Sequence, residues 1–377
     1  MAARREPAPP THASTLVDRF RLSRRSLLAA GTGLAAGFAA AGLGGPAAAA
    51  PPGGSPANGV LVPAPKRGII LYTVRDAISR DPLSTDAPSG FREVLEHLSD
   101  LGYRQIELAG FRQHANSEGG SNLDSLEGAA LLRSWLDDNG LVAEGNHGSV
   151  PNAITPEAMA AFDEDCQIAS VLGLGHIGTG NDPTRNRQKP AWDAAAEVWN
   201  HYGEHAMTQY GLKLYTHNHD QAYNFLLDEA PDATGAYTAS SGLRQLEYFL
   251  SITDPRYVWL EMDIYWAHVA QYKYPTYTAA DGSTVTRPFD PAGLVAQHTQ
   301  RYPLFHAKDG ASMPGTTNGY SMVPFGTGDI DYSEFFRRVG AKGYHNPMYE
   351  QDNAAQIGDG SLANAAISIE NMAALRG

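Results

Sequence analysis

Four polar residues stand out in the C-terminal part of the chain: His217, Asp263, His306 and Glu350, separated by 46, 43 and 44 residues. Each closes or follows a short apolar run: KLYTHNH (213–219), VWLEMDIYW (258–266), LFHAKD (304–309) and NPMYEQD (346–352). Equal steps of this size bring two imidazoles and two carboxylates to one level of a repeating unit. That donor set suits a single divalent ion, Mn2+, Co2+, Zn2+ or Fe2+. The one cysteine, Cys166, leaves no thiolate-rich site and no intramolecular disulfide. Taken singly, a histidine at a strand end is usually a hydrogen-bonded structural residue, and an aspartate there caps the next helix. Four at matched spacing point instead to a shared metal. His219 has the same parity as His217 and is either a substrate contact or the alternative ligand.

A divalent ion of this kind serves proton removal next to a carbonyl, because it stabilises the developing enediolate as a Lewis acid. A base must then take the proton. Glu350 is the first candidate, with His219 or Lys308 returning the proton. Lys308 alternatively holds a substrate oxygen by charge. Tyr72, Arg75, Glu107 and His147 stand at the ends of earlier apolar runs and are expected to line the substrate pocket. Tyr265 and Trp266 offer flat apolar faces for the C–H groups of a ligand.

The elements that must position these residues alternate regularly. Eight apolar runs, 68–74, 105–110, 142–148, 175–180, 213–219, 258–266, 304–309 and 346–352, are separated by amphipathic stretches. Those stretches are 89–101, 125–139, 157–172, 191–210, 243–251, 290–301, 331–339 and 361–375, with apolar residues at helical spacing. Ser89, Ser125, Thr155, Asp290 and Asp331 stand at their starts as caps. Strict alternation predicts a (β/α)8 TIM barrel, a single domain. No G-x-G-x-x-G follows the first run, which speaks against a doubly wound dinucleotide fold. The polar inserts 220–242 and 267–288 each follow a strand and so belong to the catalytic, C-terminal face.

Charge divides the chain. Residues 1–49 carry six arginines and two acids, whereas the whole chain of 377 residues has net charge −13. The leader reads RLSRRSLL at 21–28, then an uncharged Ala- and Gly-rich run to Gly45, then small residues up to Ala49. This is the layout of a signal peptide with paired arginines of the twin-arginine type, too Gly- and Ala-rich for a stable membrane span. Residues 50–66 form a flexible lead-in and 67–377 the barrel. Export of a folded, metal-loaded protein by the twin-arginine machinery is expected, giving a secreted or extracytoplasmic product. With the leader removed the chain is at −17, which excludes a nucleic-acid partner. At 42% apolar and 18% charged residues, bulk disorder is excluded as well.

Strings at the strand ends carry a resemblance: LYTVRD (71–76), GYRQIELAG (102–110), HNHD (217–220), LEMDIYW (260–266), HAKD (306–309) and YEQD (349–352). They resemble the sugar phosphate isomerase/epimerase group of the xylose isomerase-like TIM barrels over residues 68–376. The resemblance implies one divalent metal at the barrel mouth, with Asp263, His306 and Glu350 as ligands. His217 falls where many members carry a glutamate, so epimerisation by a pair of glutamates does not transfer directly. The expected activity is isomerisation or epimerisation of a carbohydrate. Export and the lack of a Gly-rich phosphate cradle favour a non-phosphorylated sugar or keto-sugar. Elimination from a keto-sugar or 3-keto-glycoside needs the same proton abstraction and is the alternative. A sugar-binding barrel without turnover and a nuclease are opposed by the retained quartet and the acidity, respectively.

Overall fold

The computed structural model describes residues 59–340 and 344–377; the leader 1–49 and most of the lead-in lie outside them. In chain order the strands are β1 (Gly68–Ile70), β2 (Gln105–Leu108), β3 (Val142–Asn146), β4 (His176–Thr179), β5 (Lys213–Thr216) and β6 (Val258–Asp263). The short hairpin β7 (Thr276–Thr278) and β8 (Thr284–Thr286) follows, then β9 (Leu304–Ala307). The hairpin β10 (Asp309–Ser312) and β11 (Tyr320–Val323) precedes β12 (Asn346–Tyr349). Eight of these form one sheet in the order β3-β2-β1-β12-β9-β6-β5-β4, all pairs parallel. A single parallel bridge, His147 with Gly178, joins the two edges. The result is a nearly closed TIM barrel.

Strands covered on both faces are shielded from water along their whole length. All residues of β1, β2, β4, β6, β9 and β12 are accordingly buried. The helices are α1 (Gly90–Leu101), α2 (Leu126–Asp138), α3 (Pro156–Leu172), α4 (Lys189–His205) and α5 (Gln245–Ile252). They continue as α6 (Ile264–Lys273), α7 (Pro291–Gln297), α8 (Tyr332–Val339) and α9 (Ser361–Ala374). Ser125, Thr155, Asp290 and Asp331 accept the expected capping bonds from Gly128, Ala158, Gly293 and Glu334 amides. Ser89 differs: its hydroxyl donates to the Ala87 carbonyl, while its amide donates to the Glu93 carboxylate. Among the described residues no helix is long and apolar enough to cross a membrane.

The strands are shorter at their C-terminal ends than the apolar runs. The first stops at Ile70, and Leu71–Val74 make a 3-10 turn before a single helical turn at Arg75–Ile78. The sixth stops at Asp263 because α6 begins at once, capped by that residue. Hence 267–273 is helical, and only the remainder of that insert forms a loop and hairpin. The β10–β11 hairpin was not expected from the sequence. Its anchor is the buried Asp309 carboxylate, which accepts from the amides of Gly310, Gly326 and Gly328 at 2.7, 2.9 and 3.0 Å.

Arg244 ties the inserts together. Its buried guanidinium donates to the carbonyls of Tyr223 (2.7 Å), Arg287 (2.7 Å) and Tyr274 (3.2 Å). It sits between the rings of Phe225 and Phe289, at 4.2 and 4.9 Å. The insert after β5 and the one after β6 are therefore a single framed wall over the catalytic face.

The opposite end of the barrel is closed by a polar layer. Lys66 and Gln105 donate to the Asn346 side chain at 2.6 and 3.0 Å, and Gln105 also donates to Glu144 at 2.8 Å. His176 bonds the Glu144 carbonyl through Nδ1, while its buried Nε2 has no partner among the described residues. Burial, reinforced by Lys213, pushes this imidazole down from 6.5 to about 4. Unfolding frees it to protonate at its ordinary value, so the unfolded state binds more protons between pH 6.5 and 4. Stability is therefore lost as pH falls through that window, by about 2 kcal/mol at pH 5. In denaturant titrations the loss of stability between pH 7 and pH 5 should be about 2 kcal/mol smaller in His176→Gln than in the wild type. An unchanged difference in that variant would refute the assignment.

Candidate active site

The four spaced residues meet at the C-terminal mouth. Asp263 ends β6 and His306 lies within β9, while His217 and Glu350 follow β5 and β12 directly. One ligand atom from each lies within 4.8 Å of all the others. His217 Nε2 is 3.4 Å from Asp263 Oδ2, and His306 Nδ1 is 2.8 Å from Glu350 Oε2 and 3.8 Å from Asp263 Oδ2. None of the quartet is more than 5% exposed. Yet both His217 nitrogens, Asp263 Oδ2 and His306 Nδ1 have no hydrogen-bond partner among the described residues. Buried polar atoms are normally paired. Atoms that converge without bonding one another are what a metal site presents, and N/O donors of this kind fit a borderline divalent cation. Burial, with His306 and His147 nearby, pushes the His217 imidazole down to about 3. It is thus neutral, as a ligand must be.

Asp263 serves two purposes. Its Oδ1 accepts the Trp266 amide at 2.9 Å and caps α6, while Oδ2 faces the quartet. Capping and convergence on the quartet use different oxygens of the same carboxylate.

Beneath the quartet lies a second polar layer. His306 Nε2 is hydrogen-bonded to Glu107 at 2.9 Å and lies 3.2 Å from Glu261. His147 Nε2 bonds Glu261 at 2.9 Å, and the Tyr215 hydroxyl donates to the other oxygen of Glu107. Burial would raise Glu107, but His147 and His306 outweigh it and hold the carboxyl at about 2. Burial and the Glu107 charge push Glu261 up to about 7. These four residues also bring ligand atoms within 4.8 Å. Their atoms are largely spent on one another, however, which is the arrangement that orients a ligating histidine from behind. Gly180 makes room: a Cβ there would stand 2.5 Å from His147 Nδ1.

Lys308 is almost wholly buried and sits among carboxylates, 2.8 Å from Glu350, 2.8 Å from Asp352 and 3.3 Å from Asp263. Burial opposes its charge, but Asp263, Glu350 and Asp352 hold the ammonium well above its ordinary value. Burial likewise opposes charge on Glu350, yet Lys308 and His306 keep it ionised, well below the usual carboxylate range.

The cavity above the quartet measures about 340 Å3. Tyr72, His147, His217, His219, Lys308 and Glu350 line it, together with Asn181 and Asp352. His217 belongs to the converging quartet; His219 stands at the wall, its ring 5.1 Å from His217 and 5.5 Å from Trp266. Trp266 flanks Lys308, whose ammonium is 5.4 Å from its ring centre. Four expected pocket residues lie outside this lining: Trp266, beside Lys308, and the three that follow. Tyr265 lies in α6, where strand alternation no longer applies, and its buried hydroxyl donates to the Tyr320 carbonyl under the β10–β11 hairpin. Arg75 donates to the carbonyls of Tyr72 (2.7 Å) and Asp352 (2.8 Å), and its guanidinium stacks on the Tyr72 ring. It shapes the wall rather than facing the cavity. Glu107 lies in the layer below.

Sequence reasoning missed Glu261, Asp352, Tyr215 and Asp182, whose carboxylate accepts the His219 amide at 2.9 Å. A signal was present for two of them. Glu261 and Asp352 stand two residues from Asp263 and Glu350, so they share strand parity with recognised residues. Nothing local marks Tyr215 or Asp182.

A family model described as xylose isomerase-like TIM barrel matches residues 95–375. The comparison with curated proteins returns no match. Among solved structures, a sugar phosphate isomerase/epimerase from Parabacteroides distasonis ATCC 8503 is similar, with TM-score 0.56 and 20% identity, covering 82% of this chain and 94% of that one. A second sugar phosphate isomerase/epimerase from the same organism has TM-score 0.56 and 18% identity, covering 81% and 96%. The probable 3-DHS dehydratase AsbF of petrobactin synthesis from Bacillus anthracis has TM-score 0.52 and 13% identity, covering 81% and 97%.

Proposed function

The chain belongs to the xylose isomerase-like TIM barrel family, and from that premise we propose that it is a divalent-metal-dependent sugar isomerase or epimerase. The single observation that carries this reading is the set of buried, unpartnered atoms of His217, Asp263 and His306 converging with Glu350. A divalent cation held there supplies Lewis-acid stabilisation of the negative charge that develops on the substrate oxygens. The chain's own groups do the rest. Glu350, ionised at the cavity wall, removes the proton next to the carbonyl. His219, at the cavity wall with its ring 5.1 Å from His217, relays a solvent proton to the product, and the proton on Glu350 leaves to solvent. Lys308 stays an ammonium among its carboxylates, which suits holding a developing oxyanion better than releasing a proton. Tyr72 and Trp266 present aromatic surface to the sugar ring.

The basic leader supports export, and with it a non-phosphorylated sugar or keto-sugar as substrate. Elimination from a keto-sugar or 3-keto-glycoside begins with the same proton abstraction, and NMR of the products separates it from isomerisation. Purified protein should contain about one equivalent of metal at the quartet and catalyse metal-dependent deuterium uptake from D2O into free keto-sugars or 3-keto-glycosides. Protein with no bound metal and no response to added Mn2+ or Co2+ would refute the proposal.

A further inference from the structure

A second cavity, of about 480 Å3, adjoins the one above the quartet. Asn181 lines both. The first cavity includes Gly148 and Gly180, while their chain neighbours Ser149, Thr179 and Asn181 belong to the second. Neither glycine carries a side chain that would divide the two spaces.

The walls of the second cavity differ in character. One is a face of α4, where Ala191, Ala194, Val198 and Trp199 recur at helical spacing. The other comes from the loops after β3 and β4, with Asn152, Asp182 and Thr184. An apolar face opposite hydrogen-bonding groups matches a sugar ring, which has C–H faces and a hydroxyl rim. Asp182 connects the two cavities directly, because its carboxylate holds the amide of His219 at the first. The first cavity by itself is already of the size that takes a small ligand, so a single sugar leaves the second unused.

We infer that the second cavity is a subsite for a second ring joined to the reacting sugar, so that the substrate class is glycosides, disaccharides above all, rather than free monosaccharides. The inference rests on the reading that the first cavity takes a sugar. Ala194 is exposed on α4 and remote from the proposed metal ligands, so Ala194→Phe places a ring in the second cavity from a tolerant position. Asn152→Ala, on an exposed loop, tests the polar wall independently.

The experiment is calorimetric titration of the metal-loaded protein with glucose, maltose, cellobiose, lactose, sucrose and trehalose. At least one disaccharide is expected to bind about tenfold or more tightly than glucose. Ala194→Phe should erase that preference without changing glucose affinity or the melting temperature, and Asn152→Ala should reduce it. If no disaccharide binds more tightly than glucose, or if Ala194→Phe leaves the preference intact, the subsite is overturned. Failure of the catalytic reading has another signature: no deuterium exchange into any keto-sugar while the disaccharide preference persists.

Discussion

Glu350→Gln is expected to lower deuterium exchange into substrate by about 10^3-fold while leaving the barrel folded, within the range typical for loss of a positioned base. The amide cannot ionise and cannot accept a proton. Glu350 also belongs to the converging quartet and touches both Lys308 and His306 at 2.8 Å, so the substitution alters the proposed metal site as well as the proposed base. Saturating Mn2+ separates the two roles. If exchange returns to within tenfold of wild type at saturation, Glu350 acts only as a ligand and another group is the base. Loss that persists at saturation assigns the proton transfer to Glu350. Gln keeps the volume, so the lysine beneath is not exposed, though it loses one of its three carboxylate partners.

The second large effect is expected one layer down. Glu107→Gln should weaken metal binding by about 10- to 100-fold, the usual consequence of removing a hydrogen-bond partner behind a ligating histidine. Glu107 accepts from both His306 and Tyr215, although Glu107 and His306 stand 199 positions apart along the chain. With a cation bound, an Nε2–H held by the Glu107 carboxylate would leave His306 Nδ1 free to ligate. A glutamine offers only one carbonyl oxygen to these two donors and turns its own N–H groups toward the other. Competition with a chelator of known affinity measures the change without relying on turnover. Wild-type metal affinity in Glu107→Gln would show that the deeper layer merely fills the barrel. Tyr215→Phe, which leaves the Glu107–His306 bond intact, should have a smaller effect.

The register of inward residues explains why so much of the site was readable. In β5, β6, β9 and β12 and just past their ends the polar residues come in pairs two apart: His217 and His219, Glu261 and Asp263, His306 and Lys308, Glu350 and Asp352. Period-two alternation puts both members of a pair on the same side while the strand lasts. Past the strand end the chain keeps that direction at His219, Lys308 and Asp352, which line the cavity, but not everywhere. Tyr265 keeps the parity of Asp263 yet turns away, because Asp263 caps a helix that starts at Ile264. Arg75 was misplaced for the same reason, since its strand ends at Ile70 and the chain has already entered helical turns.

What the amino-acid order settles alone is local and periodic. It includes eight apolar runs alternating with amphipathic helices, the caps at Ser125, Thr155, Asp290 and Asp331, and one polar quartet at steps of one βα unit. These follow from interactions within a few residues, or from a repeat that survives any rigid closure of the sheet. Contacts across the barrel are of another kind. Glu107 meeting His306, His147 meeting Glu261 beside Gly180, and Arg244 clamping two inserts all join residues far apart in sequence. Their geometry depends on how the sheet closes, through the single bridge between His147 and Gly178, and on which loops fold inward. No periodicity encodes those distances, so the partition between the converging quartet, the carboxylates behind it and the second cavity beside it emerged only from the closed barrel.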